Sequence, residues 1–354
     1  MLMVMGLHFV GNATPTNQLE RIVGYVAGHG MLGVDLFFVL SGFLITGILF
    51  DTRYKKNFFR NFYARRTLRI FPLYYGTIAA TLLVARWVPD SAALDGIRND
   101  QAWLWLYGAN VLHAVRGEWS LSYLNHFWSL AIEEHFYLLW PIMVWALRRR
   151  PRVLMWTSLG IGIASRIAEV AMTRESEMIG MLTPLHLQGI AFGSFLALFA
   201  RSPRGFERLR EWTPRVAVGV ATVLICSFVL HRLTETGQFI LGPLRQTLFV
   251  VLLACILVRA LTAPAGSPFV RFFGSKALMS MGTYSYGLYV FHHFISYGFV
   301  VHGTEFVLAE WTKSHGAAVA LLALGGSAAS FLIAWLSFHA FEKRFLALRR
   351  YFAA

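Results

Sequence analysis

GVDLFFVLSGFLITGILFDTRYKKNFFRNFYARRTLRIFPLYY, residues Gly33 to Tyr75, decides the fold. It joins an apolar run, Val34 to Phe50, to a stretch dense in Arg and Lys, and a second apolar run begins at Ile70. In a bilayer the pattern reads as a helix arriving, a basic loop held at one surface and a helix leaving. The loop therefore fixes which side is cytoplasmic.

The rest of the chain agrees with that reading. With 354 residues, 56% hydrophobic side chains and only 14% charged, and a mean hydropathy of +0.54, it is too apolar for a soluble globule and reads as an all-α, polytopic integral membrane protein. The net charge of +14 does not point to nucleic acid, because the basic residues sit in short segments between apolar runs rather than over a solvated face. The two cysteines, Cys226 and Cys255, both lie inside apolar runs, so neither a disulfide framework nor thiol chemistry is expected.

Apolar runs predict ten helices, at roughly 1–11, 31–50, 70–88, 127–147, 153–172, 183–200, 215–231, 243–262, 278–300 and 317–340. Alternation then puts five basic segments inside: Asp51 to Arg69, Arg148 to Arg152, Arg201 to Arg215, Arg259 to Lys276 and Lys343 to Arg350. These hold 23 of the 32 Lys and Arg. One helix more or fewer before Arg148 would put its basic loop outside, so the bias supports the count. The expected location is the inner (plasma) membrane, with a cytoplasmic C-terminus and with Asp90 to Asp100 outside. Residues 89–126 depart from simple alternation. Their aromatic piece, Trp103 to Val115, is interrupted by Gly108 and Asn110 and is too short to cross, so it is expected as a re-entrant or interfacial segment. The opening run, Met1 to Val10, rises only ~15 Å, half of a ~30 Å hydrocarbon core. It has no basic n-region of a signal peptide, and the expectation is a first helix cut short. The chain reads as one membrane domain over 1–354, with no polar stretch long enough for a soluble domain and no internal repeat.

Polar groups inside apolar runs carry the chemistry, because each costs free energy unless paired or hydrated. They are His8, Asp35, Glu133, Glu134, Arg166, Glu169, His186, His292 and His293. The ordinary role of any one is an interhelical hydrogen bond. Arg166 and Glu169, at i and i+3, are expected to pair. His8 stands apart, since imidazole titrates near neutral pH and is the commonest general base. Glu133 is the carboxylate expected to orient it, being at comparable depth on a helix whose His126, Ser129 or Leu130, Glu133 and Tyr137 share one face. Arg65, Arg66 and Arg69 cluster before Pro72. Arg forks hold phosphate and pyrophosphate bidentately, although an anchor on lipid phosphate would use the same residues. No histidine spacing resembles a metal motif such as H-E-x-x-H, and no metal is expected.

Five stretches in order make the chain recognisable: GVDLFFVLSGFLIT from Gly33, FYARRTLRIFPLYY from Phe62, FWSLAIEEHFYLLWP from Phe127, SYGLYVFHHF from Ser285 and FEKRF from Phe341. Over nearly its whole length the chain resembles the acyltransferase-3 family of bacterial integral-membrane O-acyltransferases. The resemblance implies ten transmembrane helices and a cytoplasmic acyl-CoA donor, with acetyl-CoA or another short acyl-CoA expected. It also implies transfer to a hydroxyl of a cell-envelope glycan or a glycosylated natural product. It places the catalytic histidine on His8, the conserved glutamate on Glu133, the donor-binding arginines on Arg65, Arg66 and Arg69, and a further histidine on His292. Asp35, Ser41 and Tyr74, within the same motifs, join His292 as substrate-site candidates. One departure is visible: the arginine that family members carry eleven residues before the first-helix histidine would here precede Met1. This agrees with a short first helix, whether the native protein starts upstream or the chain is impaired. The reading expected here is the membrane module alone, without the soluble domain that some members append. The rival class is a transporter or flippase of a lipid-linked glycan, whose buried His and Glu would relay protons. Such a protein needs no inner-face arginine cluster and often shows two similar halves.

Overall fold

The structure, a computed structural model, describes residues 1–88, 91–173, 176–233 and 238–352. It is built of helices and their connections, with no strand among the described residues. The ten predicted runs are largely helical, although that at 183–200 is a 3-10 turn followed by a 13-residue helix and that at 278–300 is broken at Tyr284. Among the described residues, by length and hydropathy alone, six helices are able to cross a membrane, Gln18–Thr52, Phe58–Trp87, Pro151–Met172, Gly205–Leu230, Leu241–Thr262 and His315–Phe352. The first helix, α1, spans Leu2–Gly6 and continues as a π-helical turn, Leu7–Gly11. Asp90, the first residue of the segment expected outside, falls outside the described residues.

Two elements differ from expectation. A helix α2, Gln18–Gly28, precedes α3, Leu32–Thr52. Asn17 caps it by accepting the Glu20 N–H at 3.0 Å, while Glu20 accepts from Thr16, a reciprocal arrangement akin to a capping box. It is amphipathic and only 11 residues long, so a search for spanning runs passes over it. The second difference is that the basic stretch is largely no loop: α4, Phe58–Trp87, is one 30-residue helix through Pro72, with Arg65, Arg66 and Arg69 on its N-terminal half. Buried aromatic and aliphatic residues on either side, Phe58, Phe62, Ile70 and Leu73, hold that half against neighbours, and membrane proteins tolerate proline within helices when surrounding groups satisfy the freed carbonyl.

The chain divides into two compact units. The first comprises Met1–Val34, Lys55–Glu134 and Met279–Ala354. In it α1 lies against the start of α3 at Gly30 and Gly33. A Cβ on Gly30 would stand 2.6 Å from Leu7 Cβ, and one on Gly33 would stand 2.9 Å from Val4 Cγ2. Small residues let helix backbones approach this closely in a membrane, where packing replaces the hydrophobic drive. Between α4 and α8, Phe127–Ala146, the expected interfacial segment forms three short helices, α5 Ala92–Asn99, α6 Gln101–Trp105 and α7 Ala109–Arg116, none long enough to cross. Arg98 ties α5 to the end of α4 by donating to the carbonyls of Ala85 and Val88, which answers carbonyls left without a partner at a helix C-terminus. Tyr74 is fully buried, stacked 4.0 Å from Tyr107 and 4.8 Å from Phe127, and donates to the Leu104 carbonyl at 2.7 Å.

The second unit is Asp35–Tyr54 and His135–Leu278. Here α3 packs on α10, Gln188–Ala200, through Gly42 and Gly193, whose Cβ positions are occupied by the carbonyls of Ile190 and Val39. Gly42 of the SGFLIT motif is thus a helix contact. The contact is pinned by Thr46 donating to Ser194 and by the Trp140 indole donating to Thr46, both at 2.8 Å. Arg166 and Glu169 pair at 2.6 Å, as expected from their spacing. The cysteines are free.

Candidate functional site

Four histidines from three helices meet in the first unit. His8 comes from the π turn of α1, His126 stands just ahead of α8, and His292 and His293 lie on α15, Ser285–Val301. Ring centroids of His8 lie 5.2 Å from His292 and 4.9 Å from His293, and those of His126 lie 5.5 and 4.7 Å from the same pair. The π turn is itself informative, since such turns re-aim side chains and recur at functional sites. It is wedged by α17, His315–Ser337, where a Cβ on Gly326 would stand 2.8 Å from Phe9 Cδ1 and Cζ.

Hydrogen bonds to backbone carbonyls fix the tautomers of three of the four, because a carbonyl only accepts. His292 donates from Nδ1 to the Tyr289 carbonyl at 2.7 Å, and His293 from Nδ1 to the Tyr123 carbonyl at 3.0 Å. His126 donates from Nε2 to the Val290 carbonyl at 3.1 Å. Each neutral ring keeps one lone-pair nitrogen, and His292 Nε2 and His126 Nδ1 are buried with no partner among the described residues. His8 is the exception. It is only half-buried, and nothing among the described residues hydrogen-bonds to it, so both its nitrogens are uncommitted.

His8 also lines a cavity of about 170 Å³ together with Asn12, Thr14, Ser296, Glu305 and Phe306. Glu305 is held at its wall by accepting from Thr14 N–H at 3.1 Å and by His315 Nε2 at 2.7 Å, with Glu20 on the other ring nitrogen of His315 at 2.8 Å. Sequence reading passed over Asn12, Thr14 and Glu305, because polar residues beside helix ends look like ordinary solvated loop; only the fold brings them to His8.

The sequence-predicted carboxylate, Glu133, is buried one turn beyond Ser129 on α8 and acts electrostatically on Tyr289 and Tyr286. His126, Ser129, Glu133 and Tyr137 are all buried, so the helix face proposed from spacing does point inward. Ser129 and Tyr289 share a 2.7 Å hydrogen bond, and Tyr289 also donates to the His126 carbonyl, which joins α8 to α15 beneath the histidines. The groups in ring contact with His8 are His292 and His293. Arg65 and Arg66 are half-buried and Arg69 exposed along α4, with Glu134 within electrostatic reach of Arg66 and Glu342 within reach of Arg69. Asp35 and Ser41 belong to the second unit. Asp35 feels His186, Glu169 and Arg166, and Ser41 is hydrogen-bonded to Tyr137. Among the described residues no group of three or more His, Cys, Asp or Glu is arranged to hold a metal.

Fold and site together define a polytopic, all-helical membrane protein whose histidine cluster opens on a small cavity with both polar and apolar walls. Within that class, the chain belongs to the acyltransferase domain family of the acyltransferase-3 type, which it matches over residues 1–339. Among curated proteins it is 31% identical over 291 residues to the peptidoglycan O-acetyltransferase OatA of Listeria monocytogenes, covering 75% of this chain and 45% of that protein. It is 29% identical over 286 residues to the O-acetyltransferase OatA of Staphylococcus aureus, with the same coverage. With the putative peptidoglycan O-acetyltransferase YrhL of Bacillus subtilis it shares 29% over 303 residues, 75% of this chain and 44% of that one. The chain therefore spans just under half the length of these relatives. No solved structure matches it.

Proposed function

We propose that this chain moves an acetyl or similar short acyl group from cytoplasmic acyl-CoA to a hydroxyl of a cell-envelope glycan, peptidoglycan being the acceptor the relatives' names suggest. In this reading ten helices cross the inner membrane, with the C-terminus and the arginines of α4 on the cytoplasmic side. Arg65, Arg66 and Arg69 hold the donor's phosphates, and its thioester arm reaches toward His8. Tyr74 and His292 line or support the path between. The sugar hydroxyl enters the cavity beside Glu305, Asn12 and Thr14.

His8 takes the hydroxyl proton as the oxygen attacks the thioester carbonyl. The C–S bond breaks, the acyl–oxygen ester forms, and the coenzyme A thiolate takes the proton back from the imidazolium. A histidine gaining a proton at one nitrogen must donate from the other. The lone pairs of His292 and His293 are the neighbours suited to accept it, with the Glu133 carboxylate stabilising the buried positive charge.

A single observation carries this reading: of four clustered histidines, three are locked by backbone carbonyls and the fourth, His8, is uncommitted and faces a cavity. The test is transfer of label from acetyl-CoA to envelope glycan in membranes at matched protein level, scored as an alkali-labile ester. His8→Ala should lose ~10²–10⁴-fold, the usual worth of a general base, and His8→Gln and His8→Asn should not recover it. Substantial transfer by either amide variant would make His8 a polar spacer and remove it from the chemistry. Net movement of glycan across the membrane with no ester formed would favour the transporter class instead.

A further inference from the structure

The chain's last residues return to the arginine cluster. After α17 a second π-helical turn, Phe338–Glu342, leads into a short helix, Lys343–Ala347, and a final 3-10 turn, Leu348–Phe352. That final turn packs on α4. Phe341 lies along the same helix, 3.7 Å from where a Gly76 Cβ would stand, and the Phe352 ring sits 5.5 Å from the Arg60 guanidinium carbon. Between these contacts is Arg349, whose Nε is buried with no partner among the described residues. Its charge is felt alongside those of Arg65, Arg66 and Arg69.

Four guanidiniums within electrostatic reach, three on α4 and one on the C-terminal tail, repel one another. The carboxylates within reach are Glu342, held by Ser337 at 3.0 Å, and Glu134, so positive charge remains in excess. None of Arg65, Arg69 and Arg349 is in an ion pair among the described residues. Arginines that merely anchor a helix to lipid phosphate need no such convergence, because each can reach sideways to a separate headgroup. Convergence suits one ligand bearing several phosphates.

We propose that Arg349 is the fourth arm of a polyphosphate cradle with Arg65, Arg66 and Arg69, closing the C-terminal tail over the diphosphate and ribose phosphate of a CoA-type donor. The inference rests on the reading of the α4 arginines as the donor site. Its chemistry is that of a guanidinium fork gripping phosphate bidentately from the side opposite α4.

The experiment measures coenzyme A and 3′,5′-ADP binding to the purified full chain in phosphatidylcholine nanodiscs, which lack anionic lipid, together with KM and kcat for acetyl-CoA. Arg349→Gln should weaken binding of both probes ten- to a hundredfold, raise KM by a similar factor and leave kcat near wild type. Arg349→Lys keeps the charge but not the fork, so it protects against a folding artefact and should lie between. The paired variant Arg65→Ala with Arg66→Ala separates the two levels of the argument. If it loses affinity while Arg349→Gln and Arg349→Lys bind like wild type, the tail is not part of the cradle and the donor site stands without it. If neither the paired variant nor Arg349→Gln changes affinity, and only membrane insertion suffers, the arginines are lipid anchors and both readings fall.

Discussion

Adding one methyl group at Gly326 perturbs His8 without touching a polar atom. A Cβ there would lie 2.8 Å from Phe9 Cδ1 and Cζ, well inside the 3.5–4.0 Å at which carbon atoms attract. The ring must give way by about 1 Å, yet Phe9 is only 5% exposed and lies against Phe299, 6.2 Å centroid to centroid. Overpacking of this kind costs ~1–3 kcal/mol. The displacement falls on the residue next to His8, inside the same π turn, and a shift of ~1 Å in a catalytic group costs on the order of 10²-fold in rate. Gly326→Ala should therefore fold, insert and bind acyl-CoA, with kcat for acyl transfer lowered about 10²-fold. Phe9→Leu in the same background relieves the clash and should recover much of the loss. Full activity in Gly326→Ala would refute either the close contact or the dependence of catalysis on His8's position. A loss that Phe9→Leu leaves unrelieved would refute the packing route.

Two further expectations concern the rest of the chain. With Cys226 and Cys255 replaced, cysteines placed at Arg150 and Arg350 should resist a membrane-impermeant thiol reagent in intact cells while one at Asp95 reacts; labelling at position 350 would overturn the orientation. His113, buried on α7, should make the segment from α5 to α7 acid-labile. Burial, with Arg116 nearby, pulls its pKa from 6.5 to about 4, and its Nδ1 accepts the Ser120 N–H at 3.2 Å, a bond that protonation abolishes. The unfolded segment binds the proton more readily, so stability is intact above pH 6.5 and is lost as pH falls toward 4, by on the order of 3 kcal/mol once below both values. Hydrogen exchange across residues 92–124 should report this, and His113→Gln, whose amide oxygen accepts without titrating, should flatten the pH dependence.

The helices were legible because spanning a bilayer demands about 20 apolar residues each, a signal that needs no knowledge of partners. Amphipathic α2 was not, since half its surface is polar and its place is set by a cap and by the Glu20–His315 contact from the other end of the chain. His8, His292 and His293 could be singled out by the cost of placing imidazoles in apolar runs. That they meet, with His126, depends on a π turn whose extra residue leaves no mark in hydrophobic periodicity. Spacing placed Glu133 on the buried face of α8, whereas the ring contacts of His8 with His292 and His293 come only from the fold. Arg349 was read only as one more cytoplasmic charge, because nothing in a tail of Lys and Arg distinguishes a ligand from a topology signal until its neighbours are known.

Both candidate sites border a π turn, and α17 connects them. Its Gly326 abuts Phe9 beside His8, and the turn that follows it carries Glu342 beside Arg69. From Gly326 to Glu342 the helix rises about 24 Å at 1.5 Å per residue, most of a hydrocarbon core. A donor gripped by its phosphates at one end must therefore present its thioester through an extended arm at the other, and the proposed chemistry requires a ligand with that shape. The separation also divides the energetics. Contacts at the phosphates are made equally in the ground and transition states, so their loss appears in KM, whereas His8 acts only as the proton moves, so its loss appears in kcat. A protein that used the same histidines merely to hold its helices together would show no such division, since loosening the packing would degrade both constants along with stability.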